Sequence, residues 1–132
     1  MTAKPLFLTV DQILELHQDQ IDKYGGSAGV RDMTLVESAV NAPSASFGGK
    51  LLHNDIFEMA AALLFALVQN HAFIDGNKRV GTAAALVFLD ANGIEIDNRE
   101  PEFSDLVLRV ASSRAKKDEV AEYFRKQSKT KP

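Results

Sequence analysis

The chain has 132 residues, no cysteine and a formal net charge of −3, and 45% of its residues are hydrophobic. A chain of this length predicts one domain over residues 1–132, with a core that needs no disulfide or Cys-ligated metal. The net charge gives no general reason to expect a nucleic-acid partner, and the longest apolar run, ten residues, is about half a membrane-spanning helix. No signal peptide is recognisable, so we expect a cytoplasmic protein without direct nucleic-acid or membrane contact.

The first third of the chain predicts two helices. Thr9 and Gln12 have the spacing of a capping box, and apolar residues recur at helical intervals up to the pair Gly25-Gly26, which should end the helix. Asp32 is a suitable cap for a second helix, which we expect to end near Asn41, before a proline.

A flap segment and two strongly hydrophobic helices follow. Residues 43–54 are rich in turn-forming residues, which predicts a loop or a short hairpin. Asn54 is a suitable cap for a third helix reaching Gln69 or Asn70, and a fourth is predicted over Asn77–Ala91. These helices contain runs of ten and seven apolar residues, so we expect the other helices to cover them.

The C-terminal part predicts a short extended segment at 94–97, a fifth helix over about 101–114 and a sixth over about 118–127, capped by Asp118. Residues 125–132 are rich in basic side chains and are expected to form a solvated tail. About six helices and almost no strand signal predict an all-α fold with a short flap loop or hairpin.

A stretch with many polar residues, HAFIDGNKR, lies between the two hydrophobic helices and runs from His71 to Arg79. Asn77 should begin the fourth helix, and Gly76 before it has no side chain to keep a ligand from the free N–H groups. Lys78 and Arg79 stand in the first turn, where a cation is disfavoured by up to ~1 kcal/mol. A bound polyanion, such as a phosphate chain, would account for two cations at this end of a helix.

His71 and Asp75 add chemistry to this anion site. A histidine can take a proton from a hydroxyl near neutral pH, and a carboxylate beside phosphates can hold magnesium. Phe73, between them, is best explained as an apolar anchor that fixes the loop to the core. A base, a metal ligand, a phosphate cradle and a charge clamp are the parts of a phosphoryl or nucleotidyl transfer site.

Each of these residues also has an ordinary structural explanation. Taken singly, His71 is more often a helix-end or buried histidine, and Asp75 is a loop or capping residue. Lys78 and Arg79 can pair with acidic residues of the same domain. The combination of all of them within nine residues is what favours a functional site.

Other candidate motifs are weaker. His17 lies on the apolar stripe of the first helix and is expected to be a hydrogen-bonded core histidine, whereas His53 is expected to have a structural role in its loop. No G-x-x-x-x-G-K-[ST] pattern occurs, so the chain has no P-loop, and the histidines and acids lack zinc-site spacing.

The stretch HAFIDGNKR resembles the signature of the Fic superfamily, His-x-Phe-x-[Asp/Glu]-Gly-Asn-x-Arg, whose all-α members move part of a nucleotide onto a protein hydroxyl. Its Asn-Lys-Arg resembles the Doc ("death on curing") branch, the toxins of toxin–antitoxin pairs. The similarity continues through Leu16–Asp32 and Asn77–Gly93. The resemblance implies a single compact Fic-type helical domain.

The resemblance also implies a role for each residue of the motif. His71 would be the general base on the target hydroxyl, and Asp75 would hold Mg²⁺. Phe73 would be the structural anchor. The remaining motif positions would bind the phosphates of ATP, with the glycine giving access to the main chain: Gly76, Asn77, Lys78 and Arg79.

The residue at position 78 separates two reactions within the family. Typical Fic enzymes have glycine there and transfer AMP, whereas the lysine of the Doc branch goes with transfer of the γ-phosphate of ATP to elongation factor Tu, which blocks translation. The chain contains no inhibitory [Ser/Thr]-x-x-x-Glu-[Gly/Asn] segment, which implies a separate, Phd-like antitoxin. AMP transfer remains an alternative, as does a non-catalytic, anion-binding partner of an antitoxin.

Overall fold

The fold consists of six α-helices and two small antiparallel sheets within residues 4–130, the part of the chain that the computed structural model describes. The helices are α1 (Val10–Tyr24), α2 (Met33–Asn41), α3 (Ile56–Asn70), α4 (Asn77–Ala91), α5 (Glu102–Ala111) and α6 (Lys117–Gln127). The strands are β1 (Ser46–Phe47), β2 (Lys50–Leu51), β3 (Ile94–Ile96) and β4 (Ser128–Thr130). The predicted all-α architecture is confirmed. No helix in this part of the chain is long and apolar enough to cross a membrane.

The first two helices begin at the predicted caps. The Thr9 hydroxyl accepts a hydrogen bond from the N–H of Gln12 at 3.2 Å, and the Gln12 side chain accepts one from the N–H of Thr9 at 2.8 Å. The Asp32 carboxylate accepts from the N–H of Thr34 at 3.0 Å. α1 ends at Gly25, whose φ of 84° is available to glycine at little cost.

Two predicted caps are wrong by one or two residues. α3 is capped by Asp55, whose carboxylate accepts from the N–H of Glu58 at 2.8 Å, and Asn54 instead donates its N–H to the Glu58 side chain. α6 begins at Lys117, so Asp118 lies in the first turn of the helix. The positive end of the helix dipole still favours the negative charge of Asp118 at this position.

The flap segment forms the hairpin β1–β2, in which Ser46 pairs with Leu51 and Phe47 pairs with Lys50. This confirms the hairpin alternative for residues 43–54. Phe47, next to the turn of this hairpin, is 82% exposed.

The C-terminal segment departs from the sequence expectations in two places. α5 ends at Ala111, before the predicted residue 114, and Ser113 adopts a left-handed φ of 61° that does not continue a helix. The expected solvated tail is wrong for the described residues, because β4 pairs antiparallel with β3 and sets Ser128 opposite Ile96. Residues 131 and 132 lie outside the described part of the chain.

α3 and α4 form the centre of the core. α3 lies against α2, α4, α5 and α6, and α4 also lies against α1. A Cβ atom at Gly81 of α4 would lie 2.7 Å from Val68 Cγ2 and 3.3 Å from the Leu64 carbonyl oxygen, so glycine permits this close approach. The packing fixes the end of α3 beside the start of α4, with residues 71–76 as the loop between them.

Candidate functional site

His71 ends α3 in the left-handed conformation, with φ 52° and ψ 47°. This conformation costs a side-chain-bearing residue about 1–2 kcal/mol, and such strain clusters at functional sites. The residue itself is exposed. Its main-chain carbonyl accepts a hydrogen bond from Arg31 Nε at 2.6 Å, and the carbonyl of Asn70 accepts one from Arg31 Nη2 at 3.1 Å.

Phe73 is buried below the loop, with 1% of its surface exposed. Its ring stacks on the imidazole of His17, with ring centroids 3.9 Å apart, and its main chain forms an isolated antiparallel bridge to Val30. This placement supports the anchoring role that the sequence suggests for Phe73.

His17 is confirmed as a hydrogen-bonded core histidine. Its residue surface is 3% exposed, and Nε2 lies 2.7 Å from the main-chain oxygen of Asp75. Because a carbonyl oxygen only accepts, Nε2 carries the proton in this contact.

The side chain of Asn77 holds the loop in shape. Its Oδ1 accepts from the N–H of Phe73 at 3.0 Å, and its Nδ2 donates to the Phe73 carbonyl at 3.0 Å. Both ends of the amide are therefore bonded within the loop. A phosphate at this position would meet the main-chain N–H of Asn77 rather than its side chain.

Asp75 presents an ionised carboxylate at the surface of the loop. Oδ2 accepts from the N–H of Ser27 at 3.1 Å, and Oδ1 accepts from the N–H of Gly76 at 2.8 Å. These two hydrogen bonds lower the pKa of Asp75 below its usual range and outweigh the opposing effect of burial, and the charges of Arg79 and Lys78 also lower it.

The Asp75 carboxylate fits the needs of a magnesium ion. A carboxylate has about four lone-pair positions, and the two N–H groups leave others available. Mg²⁺ is usually held by one or two carboxylates together with phosphate oxygens and water. The described residues contain no cluster of three or more histidines, cysteines or acids that could hold a metal ion.

The start of α4 is open to an anion. Its cap is Gly76, with φ 78°, and no side chain among the described residues caps the helix. The N–H groups of the first turn therefore point to the loop, with the positive end of the helix dipole. A Cβ at Gly76 would lie 3.3 Å from Ile21 Cδ1 and 3.5 Å from His17 Nε2, so the core below leaves little room for a larger residue.

Lys78 and Arg79 differ in their surroundings. Lys78 is exposed. Arg79 donates from Nη1 to the carbonyls of Gly25 at 2.9 Å and Gln20 at 3.4 Å, at the C-terminal end of α1. Arg79 therefore contacts main-chain carbonyls, where its charge is favoured by the end of the α1 dipole, and also lies within reach of the anion site.

A groove of about 610 Å³ begins at Lys78 and Arg79 and runs between α1, α4 and α5. Its walls are largely apolar and include Tyr24, Thr82 and Leu108. Its volume lies within the range of about 300–1,000 Å³ that is usual for small-molecule pockets.

The loop between α1 and α2 contributes contacts that are not evident from the sequence. Ser27 bonds the Asp75 carboxylate, Gly29 accepts from the N–H of Ile74 at 3.1 Å, and Arg31 bonds the end of α3. A Cβ at Gly26 would lie 2.7 Å from Asp75 Oδ2. The segment GGSAGVRD belongs to the Doc-like stretch, which is the one indication in the sequence that this loop matters. Its spacing alone does not predict which residues of the motif it contacts.

Comparison with known proteins identifies the chain as a member of the Fic/DOC family, whose model matches residues 7–89, a range that contains the whole motif. The chain is 39% identical over 100 residues to Toxin Doc of Mycolicibacterium smegmatis, covering 74% of this chain and 77% of that protein. It is 30% identical over 119 residues to Protein kinase doc of Escherichia phage P1, covering 90% and 93% of the two chains.

Proposed function

We propose that the protein is a Doc-like toxin of a toxin–antitoxin module, which transfers the γ-phosphate of ATP to a hydroxyl group of a protein in the cytoplasm. Elongation factor Tu is the expected target, and its phosphorylation would block translation. The observation that carries the proposal is the position of His71, an exposed histidine one short loop before a helix start that is open to phosphates.

The reaction uses His71 as a general base. The imidazole takes the proton of the target hydroxyl while the hydroxyl oxygen forms a bond to the γ-phosphorus. The bond from that phosphorus to the β–γ bridging oxygen breaks, and ADP leaves. General base catalysis of this kind contributes about 10²–10⁴-fold to the rate.

The residues at the start of α4 bind the phosphates in this proposal. The N–H groups of Asn77, Lys78 and Arg79 and the helix dipole favour negative charge, and the two cations compensate more of it. Asp75 would hold Mg²⁺ against the phosphate oxygens. The ion would supply charge neutralisation for the transferring group.

Lys78 supports phosphate transfer over AMP transfer. Its side chain occupies space that a glycine would leave open to a phosphate chain, and its ammonium is a point charge suited to a transferring phosphoryl group. The name of the relative from Escherichia phage P1, a protein kinase, points in the same direction.

An antitoxin completes the proposal, and we expect it to be Phd-like. The relative from Mycolicibacterium smegmatis is named a toxin, which supports a paired inhibitor. Any partner segment that fills the groove beside α4 would also lie against Lys78 and Arg79, two of its lining residues. Inhibition would then follow from loss of access to the anion site.

Parallel labelling with α- and γ-labelled ATP tests the proposed donor chemistry. The protein is incubated with elongation factor Tu, Mg²⁺ and one of the two nucleotides. Label from the γ-position alone is the expected result. Label from the α-position would establish AMP transfer instead, and no label from either would favour the non-catalytic partner of an antitoxin.

A further inference from the structure

Arg31 donates hydrogen bonds to three successive carbonyl groups at the end of α3. Its Nη2 bonds Asn70 O at 3.1 Å, its Nε bonds His71 O at 2.6 Å, and its main-chain N–H bonds Ala72 O at 2.8 Å. We propose that Arg31 is a positioning residue for His71, because it holds the main chain from which the imidazole extends. This inference rests on the proposed function, in which His71 is the base.

The end of α3 needs such a partner for two reasons. Carbonyls in the last turn of a helix have no partner within the helix. His71 also stands where glycine or asparagine is usual, since its φ of 52° is left-handed. The direction of a Cα–Cβ bond depends on the main-chain conformation, so relaxation of His71 to an ordinary φ would redirect its imidazole.

The guanidinium of Arg31 suits this task because its donors form a planar fork that can reach two acceptors at once. A cation is also favoured at the C-terminal end of a helix. A lysine in its place would keep the charge but not the fork.

The segment that carries Arg31 is itself held against the motif loop. Asp32 donates its N–H to Ala72 O at 3.0 Å, Ile74 donates its N–H to Gly29 O at 3.1 Å, and Val30 forms a bridge to Phe73. The main chain of residues 29–32 therefore lies alongside the loop on both sides of Arg31. This fixes the base of the side chain, although the residue is exposed.

Arg31→Ala should lower the turnover number for transfer by about tenfold to a hundredfold, the effect of a small misplacement of a catalytic group. The KM for ATP should change by less than about twofold, because the hydrogen bonds of Arg31 go to residues 70–72 and not to the start of α4. Arg31→Lys should recover part of the loss.

The matched control is Arg109→Ala, which removes a guanidinium paired with Glu119 at 2.8 Å on the surface of α5 and α6. This variant should retain wild-type transfer, since exposed pairs of this kind contribute little. If Arg31→Ala fails to fold, Arg31→Lys carries the test against the same control.

The double variant Arg31→Ala with His71→Ala separates positioning from a general structural defect. If Arg31 acts through His71, removing it should reduce the residual transfer of His71→Ala no further. A loss by the same factor in both backgrounds would overturn the inference, as would wild-type transfer in Arg31→Ala or an effect confined to the KM for ATP.

The ¹³Cα and ¹³Cβ chemical shifts of His71 give a readout that does not depend on activity. They report the main-chain conformation, so they should move in Arg31→Ala and stay unchanged in Arg109→Ala. If the wild-type protein transfers nothing, the proposed function has failed and these shifts alone decide the role of Arg31. Unchanged shifts in Arg31→Ala would then overturn it.

Discussion

The imidazole of His17 lies flat against the ring of Phe73, with centroids 3.9 Å apart and planes 12° apart. The same imidazole donates from Nε2 to the Asp75 carbonyl at 2.7 Å. One buried side chain of α1 therefore supports two residues of the loop that carries the motif. The loop is therefore supported from α1 as well as from α3 and α4, the helices that it joins.

His17→Ala should lower the free energy of unfolding by about 2–4 kcal/mol, since it leaves a cavity beside Phe73 and removes the donor to the Asp75 carbonyl. Urea unfolding measures the change. His53→Ala is the matched control, because His53 lies before the N-terminal end of α3, away from the motif loop. The decrease in the free energy of unfolding should be smaller for this variant. Equal decreases in the free energy of unfolding would show that the contact of His17 with the loop adds no particular stability.

The lowered pKa of Asp75 predicts an acid-dependent contribution to stability. The folded state binds the proton more weakly than the unfolded state, so the contribution is fully present above the usual aspartate pKa of 3.8 and is lost as the pH falls through the lower folded-state value. The difference in unfolding free energy between the wild type and Asp75→Asn should therefore shrink as the pH falls below 3.8.

Urea unfolding over a pH series measures this difference, with Asp19→Asn, an exposed aspartate on α1, as the control for removing one charge. A difference between wild type and Asp75→Asn that stays constant through the acid range would contradict the lowered pKa.

Asp75→Asn should also abolish the gain in ATP affinity that Mg²⁺ provides, because the amide cannot replace the anionic ligand. Affinity without Mg²⁺ should be retained or slightly increased, since one negative charge near the phosphates is lost. Calorimetric titration with and without Mg²⁺ separates the two effects. An unchanged response to Mg²⁺ would remove Asp75 from the metal site.

Lys78→Gly should lose phosphate transfer, because it removes a charge beside the phosphates and opens the space above the start of α4. The remaining motif would then match the AMP-transferring pattern, so some AMP transfer is expected to appear. Lys78→Ala is the control, since it removes the charge without the conformational freedom of glycine. The mass of the modified target distinguishes the products, and wild-type phosphate transfer by Lys78→Gly would show that Lys78 does not set the reaction.

The sequence predicts the helices of this fold well because their signals are local. The capping box at Thr9 and the cap at Asp32 lie where their side chains predict, and the helix start at Asn77 follows Gly76. The start of α3 is predicted one residue early because a second suitable cap, Asp55, directly follows Asn54. The pairing of β4 with β3 depends on contacts between distant segments, which no local pattern contains.

The residues of the candidate site can be predicted from the motif, but the residues that hold them in position cannot. The motif names His71 and Asp75, yet the bonds that orient them come from Arg31, Ser27 and His17, which are 40 to 58 residues away in the chain. The contacts of two further residues near the motif, Gln69 and Thr82, are likewise visible only in the structure. The amide of Gln69 donates to the Val110 carbonyl at the end of α5, and Thr82 lines the groove.

The most direct test is the intact mass of elongation factor Tu after incubation with this protein, ATP and Mg²⁺, beside His71→Ala at equal ATP occupancy. The account predicts a phosphate-sized increment with the wild type and a rate reduced by about 10²–10⁴-fold with His71→Ala, because the variant lacks the base but keeps the phosphate site. A nucleotide-sized increment, no increment with the wild type, or transfer by His71→Ala at the wild-type rate would contradict it.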